Sequence, residues 1–153
     1  MADNLLTIET LLPRLPRHAR LMGIDLGTKT IGLALSDVER RIATPLETIQ
    51  RAKFTKDVAR MIELAAKHEV MGFVIGLPLN MDGTEGPRAQ STKAFIRNCA
   101  PLTEIPFIFW DERLSTAAVT RSLIEQDASR ARRADVVDRM AAAYILQGAL
   151  DRL

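Results

Sequence analysis

The sequence predicts an α/β domain built on a mixed sheet of five strands covered by helices. Three apolar segments come first with no helical pattern between them, and helical and strand patterns then alternate along the chain. The predicted order is therefore β-β-β-α-β-α-β-α-α. With 153 residues, of which 47% are hydrophobic, the chain is long enough to bury one core.

The first three strands are predicted to be antiparallel neighbours. Leu21–Asp25 and Ile31–Ser36 are apolar and are joined only by the turn Gly27–Thr30, which is too short for anything but a hairpin. Ala43–Ile49 is the third strand. Pro45 lacks a backbone donor, so it predicts an edge position or a bulge for this strand.

Beyond the third strand the apolar residues recur at helical spacing, and the two later strands are continuous apolar runs typical of buried central strands. Pro87 suits the first turn of a helix. The remaining predicted elements are, in order, a helix ending near His68, the strand Val70–Leu77, the helix Pro87–Cys99, the strand Pro106–Trp110, a helix over about Ser115–Gln126, a polar loop Asp127–Arg133 and a last helix with Asp138 in its first turn.

Residues 1–18 are predicted to be an N-terminal extension, and residues 19–153 form the domain. The extension has no long apolar run and no small-residue cleavage site, so it does not resemble a signal peptide. No stretch of the chain is long and apolar enough to span a membrane. The single cysteine excludes an intramolecular disulfide, and we expect a cytoplasmic protein. The net charge of +2 neither favours nor excludes a polyanionic partner.

Acidic residues occupy three positions suited to a shared site. Asp25 ends the first strand, Asp111 and Glu112 end the last strand, and Asp138 lies near the start of the last helix. Ligands of open α/β sheets bind beyond the carboxyl ends of the strands. If the three stretches converge, their carboxylates could bind Mg²⁺, which prefers oxygen ligands, and such ions support phosphodiester hydrolysis.

Each acid also has an ordinary structural explanation. Asp25 could be a turn residue that bonds its own backbone. Glu112 and Arg113 could form a surface ion pair, and Asp111 could instead orient Arg113. Asp138 could complete a capping box at the start of its helix, where the helix dipole favours an acid. These alternatives remain open at the level of single motifs.

Two further segments suit a phosphate-rich ligand. Gly76–Gly86 is a long loop after a buried strand, a common position for binding residues. The predicted polar loop before the last helix contains Arg130, Arg132 and Arg133, which could hold a nucleic-acid backbone near the acids. A solvated run of charges explains the three arginines equally well.

Four motifs in this order resemble those of the YqgF (RuvX) family. The similar segments are Gly23–Gly32, Val74–Glu85, Asp111–Thr116 and Val137–Leu146. The resemblance runs from about Arg20 to the C-terminus and leaves out the extension. It implies a ribonuclease H-like fold related to Holliday-junction resolvases, with helices on both faces of the sheet. It also implies a bacterial, cytoplasmic nuclease that processes the 5′ end of precursor 16S rRNA, as a monomer or homodimer.

The family's acids correspond to Asp25, to the Asp111–Glu112 pair and to Asp138, and we favour Glu112 within the pair. Asp25, Glu112 and Asp138 would then hold Mg²⁺ or Mn²⁺. Unlike junction resolvases, the chain has no acid at the end of its fourth strand, where Gly76 stands. The residues expected to contact the substrate are Thr28, Lys29, Asn80, Arg113, Arg130, Arg132 and Arg133.

Three other functions fit part of the sequence. A resolvase of branched DNA would use the same fold and the same acids. An ATP-handling domain is suggested by Asp25–Thr28, which also resembles a phosphate loop, but such proteins use two domains around a cleft and this chain has one. A non-catalytic RNA-binding module would use the acids only as caps, and it would neither bind metal nor cleave RNA.

Overall fold

The computed structural model describes the backbone of residues 5–114 and 130–153 and the side chains of residues 7–113 and 140–153. The strands are β1 (Leu5–Leu6), β2 (Arg20–Leu26), β3 (Thr30–Ser36), β4 (Ala43–Gln50), β5 (Val70–Leu77) and β6 (Phe107–Asp111). The helices are α1 (Ile8–Leu11), α2 (Phe54–Lys67), α3 (Pro87–Cys99) and α4 (Arg130–Leu150), with 3₁₀ turns at Leu12–Arg14 and Glu112–Leu114. The predicted helix Ser115–Gln126 lies outside the described residues.

One mixed sheet contains all six strands in the order β1-β6-β5-β2-β3-β4. The pairs β2–β3 and β3–β4 are antiparallel, which confirms the predicted opening hairpin and third strand. The pairs β2–β5 and β5–β6 are parallel, so the carboxyl ends of β2, β5 and β6 meet at one end of the sheet. That end is the part of the fold on which the site depends.

Strand β4 shows both features that Pro45 predicted. It lies at the edge of the sheet. Its register with β3 shifts next to Pro45, because Leu33 pairs with Glu47 whereas Ala34 pairs with Pro45, which leaves Leu46 as the extra residue of a bulge. A residue without a backbone N–H is tolerated at such a position, so the bulge follows from the sequence.

The two faces of the sheet are covered by different helices. On one face α2 and α3 pack through Met61, Phe95 and Ile96 against Phe73 and Phe107. On the other face α4 packs through Ala142, Ile145 and Leu146 against Leu21, Val74 and Ile108. Helices therefore flank the sheet on both faces, as predicted. Within the described part of the chain, no helix is both long and apolar enough to cross a membrane.

The N-terminal extension adds an unpredicted strand. Leu5 and Leu6 pair in parallel with Phe107 and Ile108 at the edge of β6. Leu11, in the short helix that follows, is only 2% exposed and joins the core on the α4 face. The division of the chain between residues 18 and 19 stays a prediction, while the packing shows how the extension is attached.

The start of the last helix corrects the sequence prediction. Helix α4 begins at Arg130, so Arg130, Arg132 and Arg133 lie in its first turn and not in a loop. Arginine and alanine favour helix strongly, and they extend the helix beyond the apolar stripe that begins at Val137. Asp138 accordingly lies in the helix interior, and the interpretation of Asp138 as a capping residue is wrong.

Candidate active site

Asp25 is buried inside strand β2, with 3% of its surface exposed. It pairs with Gly32 of β3 and so belongs to the strand and not to the turn that follows. Side chains alternate along a strand, so Asp25 shares a face with Gly23. A Cβ atom on Gly23 would lie 2.7 Å from the carbonyl oxygen of Ala142 in α4. Asp25 therefore lies on the α4 face of the sheet.

Glu112 lies over strand β5 on the same face. A Cβ atom on Gly76 would lie 3.1 Å from both Cγ and Cδ of Glu112, and 2.6 Å from Cδ1 of Ile145 in α4. Ile24 pairs with Ile75, so the next positions, Asp25 and Gly76, are neighbours across β2 and β5. Adjacent strands lie about 4.8 Å apart. The Glu112 side chain is thus brought beside Asp25 because Gly76 has no side chain.

Asp111 is used differently from its neighbour. It follows Trp110, which faces α4, so alternation turns Asp111 to the opposite face. There the Arg113 guanidinium donates from Nη2 to Oδ2 at 2.7 Å and from Nε to both carboxylate oxygens at 3.1 Å. These hydrogen bonds lower the pKa of Asp111 below its usual 3.8. Asp111 orients Arg113, one of the alternatives that the sequence left open.

Arg113 also holds the loop that follows β5. Its Nη1 donates to the carbonyl oxygen of Met81 at 3.2 Å. Residues 80–84 form a closed turn, in which the Asn80 amide N–H donates to the Thr84 carbonyl at 2.9 Å and the Gly83 N–H donates to the Asn80 carbonyl at 2.8 Å. The Asn80 side chain donates to Thr84 Oγ1 at 2.9 Å. Asn80 and Arg113, predicted as substrate contacts, both make bonds within the protein.

The turn between β2 and β3 carries exposed Thr28 and Lys29 at the carboxyl end of β2. Arg51, which the sequence analysis missed, braces this turn. Its Nη1 donates to the Gly27 carbonyl at 2.6 Å, and its backbone N–H donates to the Lys29 carbonyl at 2.9 Å. The pairing of Gln50 with Thr30 places Arg51 there, a consequence of the β3–β4 register that no local motif announces. Exposed Lys53 adds a third basic residue nearby in the chain.

Helix α4 lies on the face that carries the acids, and its Ile145 lies against Gly76. Towards its C-terminal end, Gln147 accepts from the Ala43 N–H at 2.9 Å, beside the start of β4 and the end of β3. Ala142 lies at the level of Gly23, so earlier residues of the helix run toward the carboxyl end of β2. Asp138 precedes Ala142 by about one turn of helix. The side chains of Asp138 and of the three arginines lie outside the described residues.

Among the described side chains, no three His, Cys, Asp or Glu residues form a group that could hold a metal ion. Asp25 and Glu112 are the two carboxylates that the described residues bring to one face of the sheet at its carboxyl end. Both are oxygen donors of the kind that Mg²⁺ and Mn²⁺ prefer. Helix α4, which packs against this face through Ile145, carries the third predicted ligand, Asp138.

Comparison with known proteins gives the family. A family described as "RuvX: Holliday junction resolvase" matches residues 19–152. The chain belongs to the RuvX family. The resemblance predicted from the four motifs is thereby confirmed.

Two RuvX relatives are similar over nearly their whole length. A protein of Methylocella silvestris is 67% identical over 100% of this chain and 95% of its own. One of Beijerinckia indica subsp. indica is 68% identical over 100% of this chain and 93% of its own. Both are named "Putative pre-16S rRNA nuclease".

Solved structures of the resolvase RuvC share the fold of this chain. Thermus thermophilus RuvC in complex with a Holliday junction substrate superposes with a TM-score of 0.54 at 15% identity, covering 88% of this chain and 96% of RuvC. A second RuvC structure gives 0.51 at 16% identity, with 87% and 95% coverage. The predicted ribonuclease H-like fold of this RuvX chain is confirmed.

Proposed function

We propose that this RuvX-family chain is a metal-dependent endonuclease that hydrolyses phosphodiester bonds near the 5′ end of precursor 16S rRNA. The observation that supports it most is the position of Glu112 over Gly76, the neighbour of Asp25. Two acids from distant parts of the chain reach one face at the carboxyl end of the sheet. The names of its close relatives indicate the substrate.

The proposed metal ligands are Asp25, Glu112 and Asp138, and the ion would be Mg²⁺ or Mn²⁺. Carboxylates that crowd together repel each other unless a cation lies between them, so such a cluster favours a divalent ion. When bound, the ion supplies positive charge that stabilises the negative charge developing on the scissile phosphate. Gly76 contributes no ligand, so this set differs from one with an acid at the end of the fourth strand.

The protein's own part is to hold these groups rigid. The β2–β3 pairing and burial keep Asp25 in one orientation. Asp111 is paired with Arg113. Glu112 is therefore the acid of the Asp111–Glu112 pair that lies on the α4 face. A fixed arrangement of this kind lowers the barrier because little reorganisation is needed during the reaction.

Basic residues on the β2–β3 turn and in the first turn of α4 are proposed to hold the RNA backbone. Lys29 and Thr28 lie on the turn braced by Arg51, and Arg130, Arg132 and Arg133 lie in the first turn of α4. Contacts from Lys and Arg to phosphates position a substrate without reading its sequence. We place the protein in the cytoplasm, as a monomer or homodimer.

A second candidate is cleavage of branched DNA. It is favoured by the description of the matching family and by the fold shared with RuvC. Both functions would use the same acids, so only the substrate separates them. Side-by-side cleavage of a precursor 16S RNA leader and a four-way DNA junction distinguishes the two, and we expect faster cleavage of the RNA.

Replacement of Asp25 by Asn tests the metal site, because Asn keeps the size of the side chain and removes its charge. We expect cleavage of precursor rRNA to fall by more than about 100-fold, since the loss of a ligand removes several kcal/mol of charge stabilisation. Heat of Mn²⁺ binding in calorimetry should fall as well. The matched control is Glu39→Gln, an exposed acid in the β3–β4 turn at the other end of the sheet, which should change neither.

Full activity in the Asp25→Asn variant would contradict the assignment of Asp25. If the natural chain binds RNA but shows neither Mn²⁺ binding nor cleavage, the protein is a non-catalytic RNA-binding module and the proposed function is wrong. Circular dichroism of each variant checks that the fold is intact.

A further inference from the structure

Met81 has an unusual combination of exposure and rigidity. Its side chain is 88% exposed, more than any other large hydrophobic side chain that the structure describes. A single exposed apolar residue is common and by itself indicates no function. Met81, however, is the tip residue of the 80–84 turn, which is fixed by several hydrogen bonds.

The 80–84 turn is rigid because its own side chains bond across it. Asp82 Oδ1 accepts from the Thr84 N–H at 3.0 Å and from Thr84 Oγ1 at 2.6 Å. Asn80 bonds to Thr84 through both its backbone and its side chain. Gly83 has φ of +90°, a conformation that favours glycine. A turn tied in this way presents Met81 with little loss of backbone freedom on binding.

The turn is also attached to the candidate active site. Arg113, which donates to the Met81 carbonyl, is the residue directly after Glu112 and is itself held by Asp111 at the end of β6. Met81 and Glu112 are therefore connected through one arginine side chain. The carboxylates lie on the α4 face, and the turn is held by Arg113, which Asp111 binds on the other face. Both lie at the carboxyl end of the sheet, so a substrate strand crossing that end could meet both.

We propose that Met81 is an apolar wedge that inserts beside an unstacked base of the RNA next to the scissile phosphate. This inference rests on the proposed nuclease function and adds a residue that selects the cleavage site. Methionine is flexible and polarisable and packs against the faces of aromatic rings. Apolar side chains of this kind enter base steps in other nucleic-acid complexes and unstack them.

The wedge predicts a preference among RNA structures. Unstacking a base costs least where the helix is already interrupted by a bulge, a junction or an end. Met81 would therefore favour cleavage beside such interruptions over cleavage within a continuous duplex. Lys29, a proposed phosphate contact, cannot provide this selection, because phosphate contacts do not sense whether bases are stacked.

The test compares Met81→Ala with Met71→Ala, a matched control. Met71 is 43% exposed and lies near the start of β5, at the opposite end of the sheet. On an RNA with a bulge beside the cleavage site, Met81→Ala should lower kcat/KM by about tenfold or more, the effect of losing one side-chain contact to a base. Met81→Leu should recover most of the activity, and Met71→Ala should match the natural chain.

A binding measurement makes the test independent of cleavage. The fluorescent adenine analogue 2-aminopurine is placed at the bulge, and RNA binding is followed in the Asp25→Asn background. Fluorescence should rise on binding, because the base is unstacked, and the rise should disappear when Met81→Ala is added. The same affinity with and without Met81, together with an unchanged rise, would overturn the proposal.

The outcomes separate the wedge from the nuclease function. If the natural chain cleaves no RNA, the proposed function fails, while the fluorescence result still decides whether Met81 contacts a base. If the natural chain cleaves RNA and Met81→Ala is indistinguishable from it in both measurements, only the wedge is wrong.

Discussion

The two faces of the sheet are packed by opposite means. Against α2 and α3 the sheet presents large side chains, and the rings of Phe73 and Phe107 lie 4.8 Å apart with both residues fully buried. On the face covered by α4 the sheet has two glycines, Gly23 and Gly76. Gly23 lies against Ala142 of α4, and Gly148 of α4 lies against Trp110 of the sheet. The α4 face also contains large side chains such as Leu21 and Ile108, but at Gly23 the sheet meets the backbone of α4 directly.

This difference shows where positional precision is needed. Large side chains can shift or repack when one of them changes. The face of the sheet that α2 and α3 cover therefore contributes chiefly to the stability of the fold. Where α4 lies directly against the backbone at Gly23, there is no room for a side chain, so an added one must displace the helix. On the α4 face, the position of the helix would determine whether the proposed ligand Asp138 can join Asp25 and Glu112.

Met61→Ala should have the largest effect on stability. Met61 lies on the inner face of α2 and is fully buried in the core, so truncation of its side chain leaves a cavity. We expect the free energy of unfolding, measured with urea, to fall by about 2–5 kcal/mol. Cleavage by the folded protein, assayed well below the melting temperature, should stay within about twofold of the natural rate, because a distant cavity leaves the site geometry intact. A large loss of activity in the folded variant would contradict the division between the faces.

Gly23→Ala should lower the activity of the folded protein, which Met61→Ala leaves almost unchanged. The added Cβ would lie 2.7 Å from the Ala142 carbonyl oxygen and from Cβ of Leu146, so α4 must move away from the sheet. A displacement near 1 Å can cost about 100-fold in rate, equivalent to about 2.7 kcal/mol. We expect a loss of that size in kcat for precursor rRNA.

Gly72→Ala is the control for that variant. Gly72 lies on the same face, but its new Cβ would meet the flexible ends of Leu21 and Leu11, at 2.8 and 3.3 Å, and no helix backbone. Its activity should therefore change little. Equal losses in the Gly23 and Gly72 variants would indicate that α4 placement does not control the site.

The smallest expected effect is a change in the local stability of the 80–84 turn with pH. This turn is held by charge and hydrogen bonds and not by packing. Hydrogen bonds from Arg113 and Thr84 lower the pKa values of Asp111 and Asp82 below their usual 3.8. A carboxyl pKa that is lowered in the folded state stabilises the turn above pH 3.8. This stabilisation is lost as the pH falls through the lowered pKa. Amide NMR signals of Gly83 and Thr84 should therefore titrate below 3.8. A midpoint at or above 3.8 would show that the turn is not held by these carboxylates.

Much of the fold was predictable because its patterns are local. The strand Val70–Leu77 and the helix Pro87–Cys99 have the predicted bounds, since one is an uninterrupted apolar run and the other starts at a proline. The two-residue strand β1 was missed because it pairs with residues about a hundred positions away. The early start of α4 was missed because Arg130 begins a segment whose helical preference shows in composition and not in apolar period.

The candidate site was predictable only in outline. Strand-end positions identified Asp25 and the Asp111–Glu112 pair, but the choice between the two neighbours depends on side-chain alternation and on the empty space at Gly76. Arg51 was missed because it reaches the β2–β3 turn through strand register. The sequence therefore identifies the acids, and the pairing of the strands decides which of them meet.

Both margins of the sheet are protected against adding a strand from another molecule. At one margin the two-residue segment Leu5–Leu6 already occupies part of β6. At the other margin, the bulge at Pro45 interrupts the row of free backbone donors and acceptors of β4. Strand β4 also carries Glu47, a charged residue that pairs with Arg60. Loss of the short N-terminal segment would uncover backbone hydrogen-bonding groups of β6. Because such groups can pair with a strand of another molecule, the shortened protein should form β-rich aggregates during expression and storage.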